Sequence, residues 1–115
     1  MINYDGRVFR PVSNVNGEVS GDTVFTYRQE GRIVSATYAG GAVLNGHLLG
    51  TVDDEGSLEI AYHQVNVAGE LRTGVCRTTP EVLPDGRLRL HEAWRWTSGD
   101  GSEGTSVVEE TAGSR

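Results

Sequence analysis

The sequence predicts an all-β protein: a single antiparallel up-and-down meander of about eight strands that closes into a barrel. Three observations lead there. Apolar and polar residues alternate in segment after segment, and no 3.6-residue periodicity survives in any window long enough for a helix. Turn signals separate the segments at short intervals: "QEGR", "AGGA", "DDEGS", "VAGE", "LPDGR" and "SGDGSEG". Glycine accounts for 16 of 115 residues and proline for only 3, so the glycines read as tight turns rather than low complexity.

Between the turns the strands read 7–13, 22–30, 32–39, 42–52, 57–66, 70–79, 87–97 and 104–111. The first connection, "NVNGEVSGD", is the longest and is expected to be a mobile or lid-like segment. "LPDGR" is the clearest turn, with Pro84 presetting φ and Gly86 suited to the left-handed position. A flat sheet of these strands would leave two edges and one apolar face uncovered. Closure into a barrel removes the edges and buries the alternate face. A two-sheet sandwich is the alternative, and the lack of long crossing connections favours the barrel. The length fits a single domain, 1–115, with 1–6 and 112–115 expected to fray. Eight strands enclose an interior that side chains fill or that holds one small ligand.

The seventh segment, "RLRLHEAWRW", sets the question of function. Its alternate positions Leu88, Leu90, Glu92, Trp94 and Trp96 form the dry face, and the third of them is a carboxylate. The fifth segment places Leu58, Ile60, Tyr62 and Gln64 inside. The second contributes Phe25 and Tyr27, the third Val34, Ala36 and Tyr38, and the fourth Leu44, Gly46 and Leu48, although Ile33 and Val43 argue for the opposite phase in these last two. For the sixth, a two-residue turn at Ala68-Gly69 sets Tyr62 opposite Val75 and Ile60 opposite Arg77, so that Leu71, Thr73, Val75 and Arg77 face in. A two-residue turn at Asp85-Gly86 likewise sets Arg77 opposite Trp94, whereas a three-residue turn with a glycine bulge sets Cys76 there. The reading favours Arg77.

Glu92 is therefore paired, hydrogen-bonded or protonated, because an isolated charge is costly in an apolar interior. It reads as a structural partner of Arg77 or of the Tyr62 hydroxyl and a Trp N–H, as a polar anchor for a ligand, or, as a weak catalytic candidate, as a general acid or base. Trp94 and Trp96 are core residues or the wall of a ligand site, and Tyr38 and Tyr62 carry the same two readings. The ligand-binding set expected is Glu92, Trp94, Trp96, Tyr62, Arg77, Gln64 and Tyr38, around a small, largely apolar or aromatic molecule in a void of roughly a few hundred Å3. One rival is a cofactor-free isomerase or cyclase using Glu92. The other is a non-catalytic module, or a homo-oligomer, whose outer residues Arg87, Arg89, His91 and Arg95 meet an acidic partner or a second copy.

Composition narrows the classes. A net charge of −6 with no basic face speaks against nucleic acid. All ten basic residues are arginine, which excludes Schiff-base chemistry on a lysine. The single cysteine, Cys76, allows no internal disulfide, suits a reducing compartment and reads as an inert buried thiol. The N-terminal stretch has no apolar signal-peptide core, and no apolar run approaches the ~18 residues of a membrane helix. The expectation is a cytoplasmic protein with no membrane partner. His47, His63 and His91 do not share a ligand spacing, and "VDDEG" and "SGDGSEG" lack a calcium-loop pattern, so neither a metal nor a cofactor is expected. Phosphate-binding, nucleophile-elbow and zinc-protease motifs are absent.

The stretches "YDGRVFRPVSNVNGEVS", "FTYRQEGRIVSATYAGG", "TTPEVLPDGRLRLHEAWRWTSGDGSEGTS" and "VVEE" span nearly the whole chain. They resemble a family of short bacterial proteins often labelled N-acetylglutamate synthase, a resemblance that implies an acetyltransferase. A GNAT-type acetyltransferase holds coenzyme A on a (Q/R)xxGx(G/A) loop above a helix. The nearest string here, "RQEGRIVSA", falls in a hairpin, so no catalytic residue is carried over. At the fold level the pattern is similar to the calycin-like barrels, such as lipocalins, fatty-acid-binding proteins and avidins, without the lipocalin "GxW" start.

Overall fold

The computed structural model describes residues 2–112. Eight strands follow one another: β1 (Val8–Val15), β2 (Val24–Glu30), β3 (Ile33–Gly40), β4 (Val43–Val52), β5 (Leu58–Asn66), β6 (Leu71–Val82), β7 (Leu88–Trp96) and β8 (Glu103–Glu110). Each pairs antiparallel with the next, and β8 returns to β1 from Phe9↔Glu110 to Val15↔Thr105, closing the barrel. Closure gives every strand a neighbour on both sides and a dry inner face, although β1 meets β2 only at Val8↔Thr26 and Phe9↔Phe25. A bulge at Val12 follows Pro11, which has no N–H to give the ladder. Among the described residues there is no helix, and none is long and apolar enough to cross a membrane.

The inner faces of β2, β3, β5 and β7 are those expected from alternation. That of β6 is not. Gly74, Cys76 and Thr78 point in, while Arg77 is exposed and paired with Glu59 on the outer face. Leu71 and Val75 also lie outside. The cause is one residue in each flanking turn. Val67-Ala68-Gly69 and Pro84-Asp85-Gly86 are three-residue loops, each with its glycine at positive φ, 78° and 89°. They are closed by Asn66 N–H donating to Glu70 O and by Leu83 N–H donating to Arg87 O. The pairs become Ile60↔Cys76 and Cys76↔Trp94. One residue of slip exchanges the faces of a strand. The same loop form turns β4 into β5 at 54–56. In β4 a bulge between Val43 and Asn45 turns Val43 inward and leaves Leu44, expected inside, 59% exposed.

The barrel has two unlike ends. At the end holding the 31–32, 53–57 and 83–87 turns, Phe9, Tyr27, Val34, Val52, Leu58, Leu88, Leu90 and Val108 pack solidly. The N-terminal segment seals that end. Residues 2–6 were expected to fray, yet Tyr4 has no exposed surface: its hydroxyl donates to Gly56 O at 2.5 Å and its ring lies 5.8 Å from Tyr27. A large ring with a bound hydroxyl holds a terminus that composition alone marks as loose. Of the C-terminal stretch expected to fray, 113–115 lie outside the described residues.

The other end keeps space because its large rings lie against the wall. Tyr38, Tyr62 and Trp94 each face a glycine directly across the sheet: Tyr38↔Gly46, Tyr62↔Gly74 and Trp94↔Gly104. A Cβ at any of the three glycines would run into the ring opposite, and at Gly104 also into the Val15 carbonyl oxygen. With no side chain opposite, each ring folds flat across its neighbour strand instead of filling the axis.

Candidate functional site

The space left in the open half is a cavity of about 60 Å3. Its walls include Phe25, Tyr38, Leu48, Ile60, Tyr62, Cys76, Trp94 and Trp96, and its polar groups are Asn14, Glu18, Gln64, Glu92 and Ser106. Of the seven residues the sequence put forward, six line it: Glu92, Trp94, Trp96, Tyr62, Gln64 and Tyr38. Arg77 does not, for the register reason given above.

The aromatic wall is made of two ring clusters. Phe25 stacks on Tyr38 at 4.6 Å, while Trp96 meets Tyr62 and Trp94 edge-on, each at 5.6 Å. A relay of hydrogen bonds crosses the mouth. The Tyr38 hydroxyl donates to Gln64 Oε1 at 2.8 Å, Gln64 Nε2 donates to Glu18 Oε1 at 2.9 Å, and Asn66 Nδ2 donates to Glu18 Oε2 at 2.7 Å. Burial pushes the Tyr38 and Tyr62 hydroxyls well above the ordinary tyrosine range, so both stay protonated donors.

Glu18 belongs to the long 16–23 connection, which folds back over the mouth. Asn14 Nδ2 donates to Val19 O at 2.9 Å, and the fully buried Thr23 ties the loop to Gly40 O at 3.0 Å. Gly17, Glu18 and Val19 thus form part of the cavity wall. Arg72 completes the cap, with its guanidinium 3.9 Å from the Trp96 ring centroid and 3.5 Å from Glu18 Oε2. Glu18, Asn66, Arg72 and Ser106 were missed by sequence reasoning. Glu18 sits in a loop without alternation, and the orientation of Arg72 followed the wrong β6 register.

Glu92 lies at the cavity floor, two residues below Trp94 on β7 and above the packed half. Ser106 Oγ donates to its Oε1 at 2.7 Å. Burial pushes the Glu92 carboxyl up to about 7, and the Ser106 hydrogen bond acts in the opposite direction. No arginine or histidine is among the cavity-lining residues. Burial also pushes the Cys76 thiol up, keeping it protonated and a poor nucleophile.

The outer arginines are largely engaged by the protein itself. Arg89 pairs with Glu109 and Glu81, His91 with Glu81, and Arg87 with Asp85 and Glu109. Arg95 is exposed. His47 and His63 face each other across β4 and β5 with ring centroids 5.5 Å apart. Among the described residues no group of three or more His, Cys, Asp or Glu side chains converges as a metal site would require.

A closed eight-stranded antiparallel meander, one end packed and the other holding an aromatic-walled cavity, is a calycin-like barrel. Residues 2–111 match the family model of the avidin-like proteins, and the chain belongs to that family. No curated protein and no solved structure matches it.

Proposed function

We propose that the protein binds a small, largely apolar molecule in the open half of the barrel, with Glu92, Tyr38 and Gln64 orienting it between Tyr62, Trp94 and Trp96. The observation that carries this reading is the convergence of a few hydrogen-bonding groups on an aromatic cavity, the usual make-up of a ligand pocket. The cavity of about 60 Å3 falls far short of the expected void, since ligand pockets run to roughly 300–1,000 Å3. Binding therefore requires the Glu18 cap to withdraw and the ligand to take its place beneath the mouth. Glu18 is held by two hydrogen bonds and an ion pair at the mouth, contacts that water or a ligand can replace.

Native mass spectrometry of the protein purified from its host, followed by denaturing extraction, tests the reading. The expected result is a stoichiometric small molecule that is lost in a Trp96→Leu variant. A mass equal to the bare chain, with Trp emission unmoved by the host's small-molecule extract, overturns it. The same spectrum reads whether the barrel is a monomer or a homo-oligomer.

A second reading rests on Glu92, whose carboxyl near 7 suits acid–base chemistry on a bound molecule. Under it, Glu92→Gln keeps affinity and loses turnover; equal losses of both make Glu92 an anchor. The N-acetylglutamate synthase labelling of look-alike sequences does not enter, because among the described residues no helix N-terminus is available for a coenzyme A pyrophosphate.

A further inference from the structure

Resting on the cavity reading above, we infer that the ligand is an organic cation: a small amine or amidine whose charged nitrogen sits against Glu92 and whose apolar body lies between the aromatic side chains. The polar groups of the cavity are the first reason. Two carboxylates line it and no basic side chain does. Glu18 already receives Gln64, Asn66 and Arg72, whereas Glu92 receives the Ser106 hydroxyl. The Glu92 carboxylate therefore keeps acceptor capacity that the protein does not use. Among the described residues, the buried side-chain polar atoms without a partner are Asn14 Oδ1 and the Tyr27 hydroxyl. Asn14 lines the cavity, and the fully buried Tyr27 lies within electrostatic reach of Glu92, Cys76 and Tyr38. An ammonium or amidinium group brings several N–H donors and no acceptor, the complement of the Glu92 carboxylate and the Asn14 Oδ1 atom. An anionic ligand would instead meet the Glu92 carboxylate.

The mouth of the barrel already shows the same chemistry carried out by the protein on itself. The Arg72 guanidinium stacks on Trp96 and faces Glu18. Deeper in, Trp94 and Glu92 present the same two residue types on the same face of β7 with no arginine between them. Aromatic faces attract a cation, most strongly where water is excluded.

The groups facing Glu92 supply no charge of their own. They are Tyr27 on β2, Tyr38 on β3, Tyr62 on β5, Cys76 on β6 and Ser106 on β8, and burial holds the titratable ones neutral. A cation and a proton therefore compete for one carboxylate, so binding weakens as pH falls from 8 to 6.

Three probes of one shape and different charge test this: benzylamine, benzyl alcohol and benzoate, each titrated into the whole protein while following Trp emission. Both tryptophans of the chain line the cavity, so the signal comes from the site. The expected result is that benzylamine binds about tenfold tighter than either other probe, as a charge-assisted hydrogen bond in a dry site allows. That preference should disappear in Glu92→Gln, persist in Glu81→Gln, whose carboxylate lies exposed on the outer face, and shrink at pH 6. Equal or tighter binding of benzyl alcohol or benzoate to the wild-type protein overturns the cation while leaving the cavity reading standing. No response to any probe also overturns the cation, and the co-purified mass then decides the cavity reading separately.

Discussion

At the closed end of the barrel Glu110 lies 2.6 Å from Arg7, with the two side chains 4% and 10% exposed, and it also accepts the Leu88 amide at 3.1 Å. In the open half Glu92 accepts the Ser106 hydroxyl, and among the described residues no cation pairs with it. The same residue type is thus handled in two ways within one interior. Glu110 is fully provided for, and its pairing ties the N-terminal segment to β8 and β7 across 103 residues of chain. Arg7 is fixed in turn by donating to Asn3 O at 2.7 Å. Glu92 is left without a permanent counter-ion, next to the space a molecule could occupy. Burial of a charge is tolerated where the fold supplies its partner. Where the fold does not, the group changes its protonation or takes a partner from outside.

The sharpest way to break this contrast is to make Glu110 resemble Glu92. Arg7→Ala removes the ion-pair partner from a buried carboxylate and should lower stability by about 3 kcal/mol in urea unfolding. Joint replacement by Arg7→Met and Glu110→Leu should recover much of that loss, since an apolar pair needs no compensation. A loss of a few tenths in the single variant would show that water reaches Glu110 and that the two glutamates are not so different.

Next in size is the pH response of Glu92. Its carboxyl ionises near 4.5 in the unfolded chain and at about 7 in the folded protein, so between those values the folded state holds a proton that the unfolded state has released. Stability from this group therefore falls as pH rises from about 4.5 to 7 and stays low above it, by about 3 kcal/mol in all. Glu92→Gln should lack this slope, so that the variant is the more stable protein at pH 8 and nearly equal to wild type at pH 4.5. Parallel stability–pH curves for the two proteins would mean that Glu92 is solvated.

Filling the space behind a ring comes third. In Gly104→Ala the new methyl group runs into the Val15 carbonyl as well as Trp94, so backbone has to move, and a cost of about 1–3 kcal/mol is expected. Near-ultraviolet circular dichroism should change with it, because Trp94 is driven toward the axis. An unchanged spectrum would show that the ring does not depend on the glycine.

The smallest effect is expected at the mouth. Glu18→Ala removes partners from Gln64, Asn66 and Arg72, at about 1 kcal/mol or less. Amide exchange should quicken across 16–23 and stay unchanged in β5 and β7. Uniform quickening would mean that the cap supports the whole barrel.

Most of the cavity lining was legible in the sequence because alternation is a local property. Glu92, Trp94 and Trp96 share a face however the barrel closes, and so do Tyr62 and Gln64. Arg77 went astray through turn length, a matter of one residue. "DDEGS", "NVAGE" and "LPDGR" share a glycine at the fourth position, and in each that glycine takes positive φ at the end of a three-residue loop. In the first two, Asp53 and Asn66 also accept backbone amides across the turn. That shared pattern was the available signal for the register that puts Cys76 inside.

The amino-acid sequence by itself determined the strands, their order, the closed meander and the dry face of β7, since hydrophobic period and turn chemistry act over a few residues. The tertiary structure decided which residues meet: Arg7 with Glu110, Glu18 with Gln64 and Asn66, Arg72 over Trp96, and three rings against three glycines. It also decided that Glu110 has a cation beside it while Glu92, half-buried at the cavity floor, has none among the described residues. These pairings depend on register and on how far the sheet staggers as it closes, and neither quantity is written in any single segment.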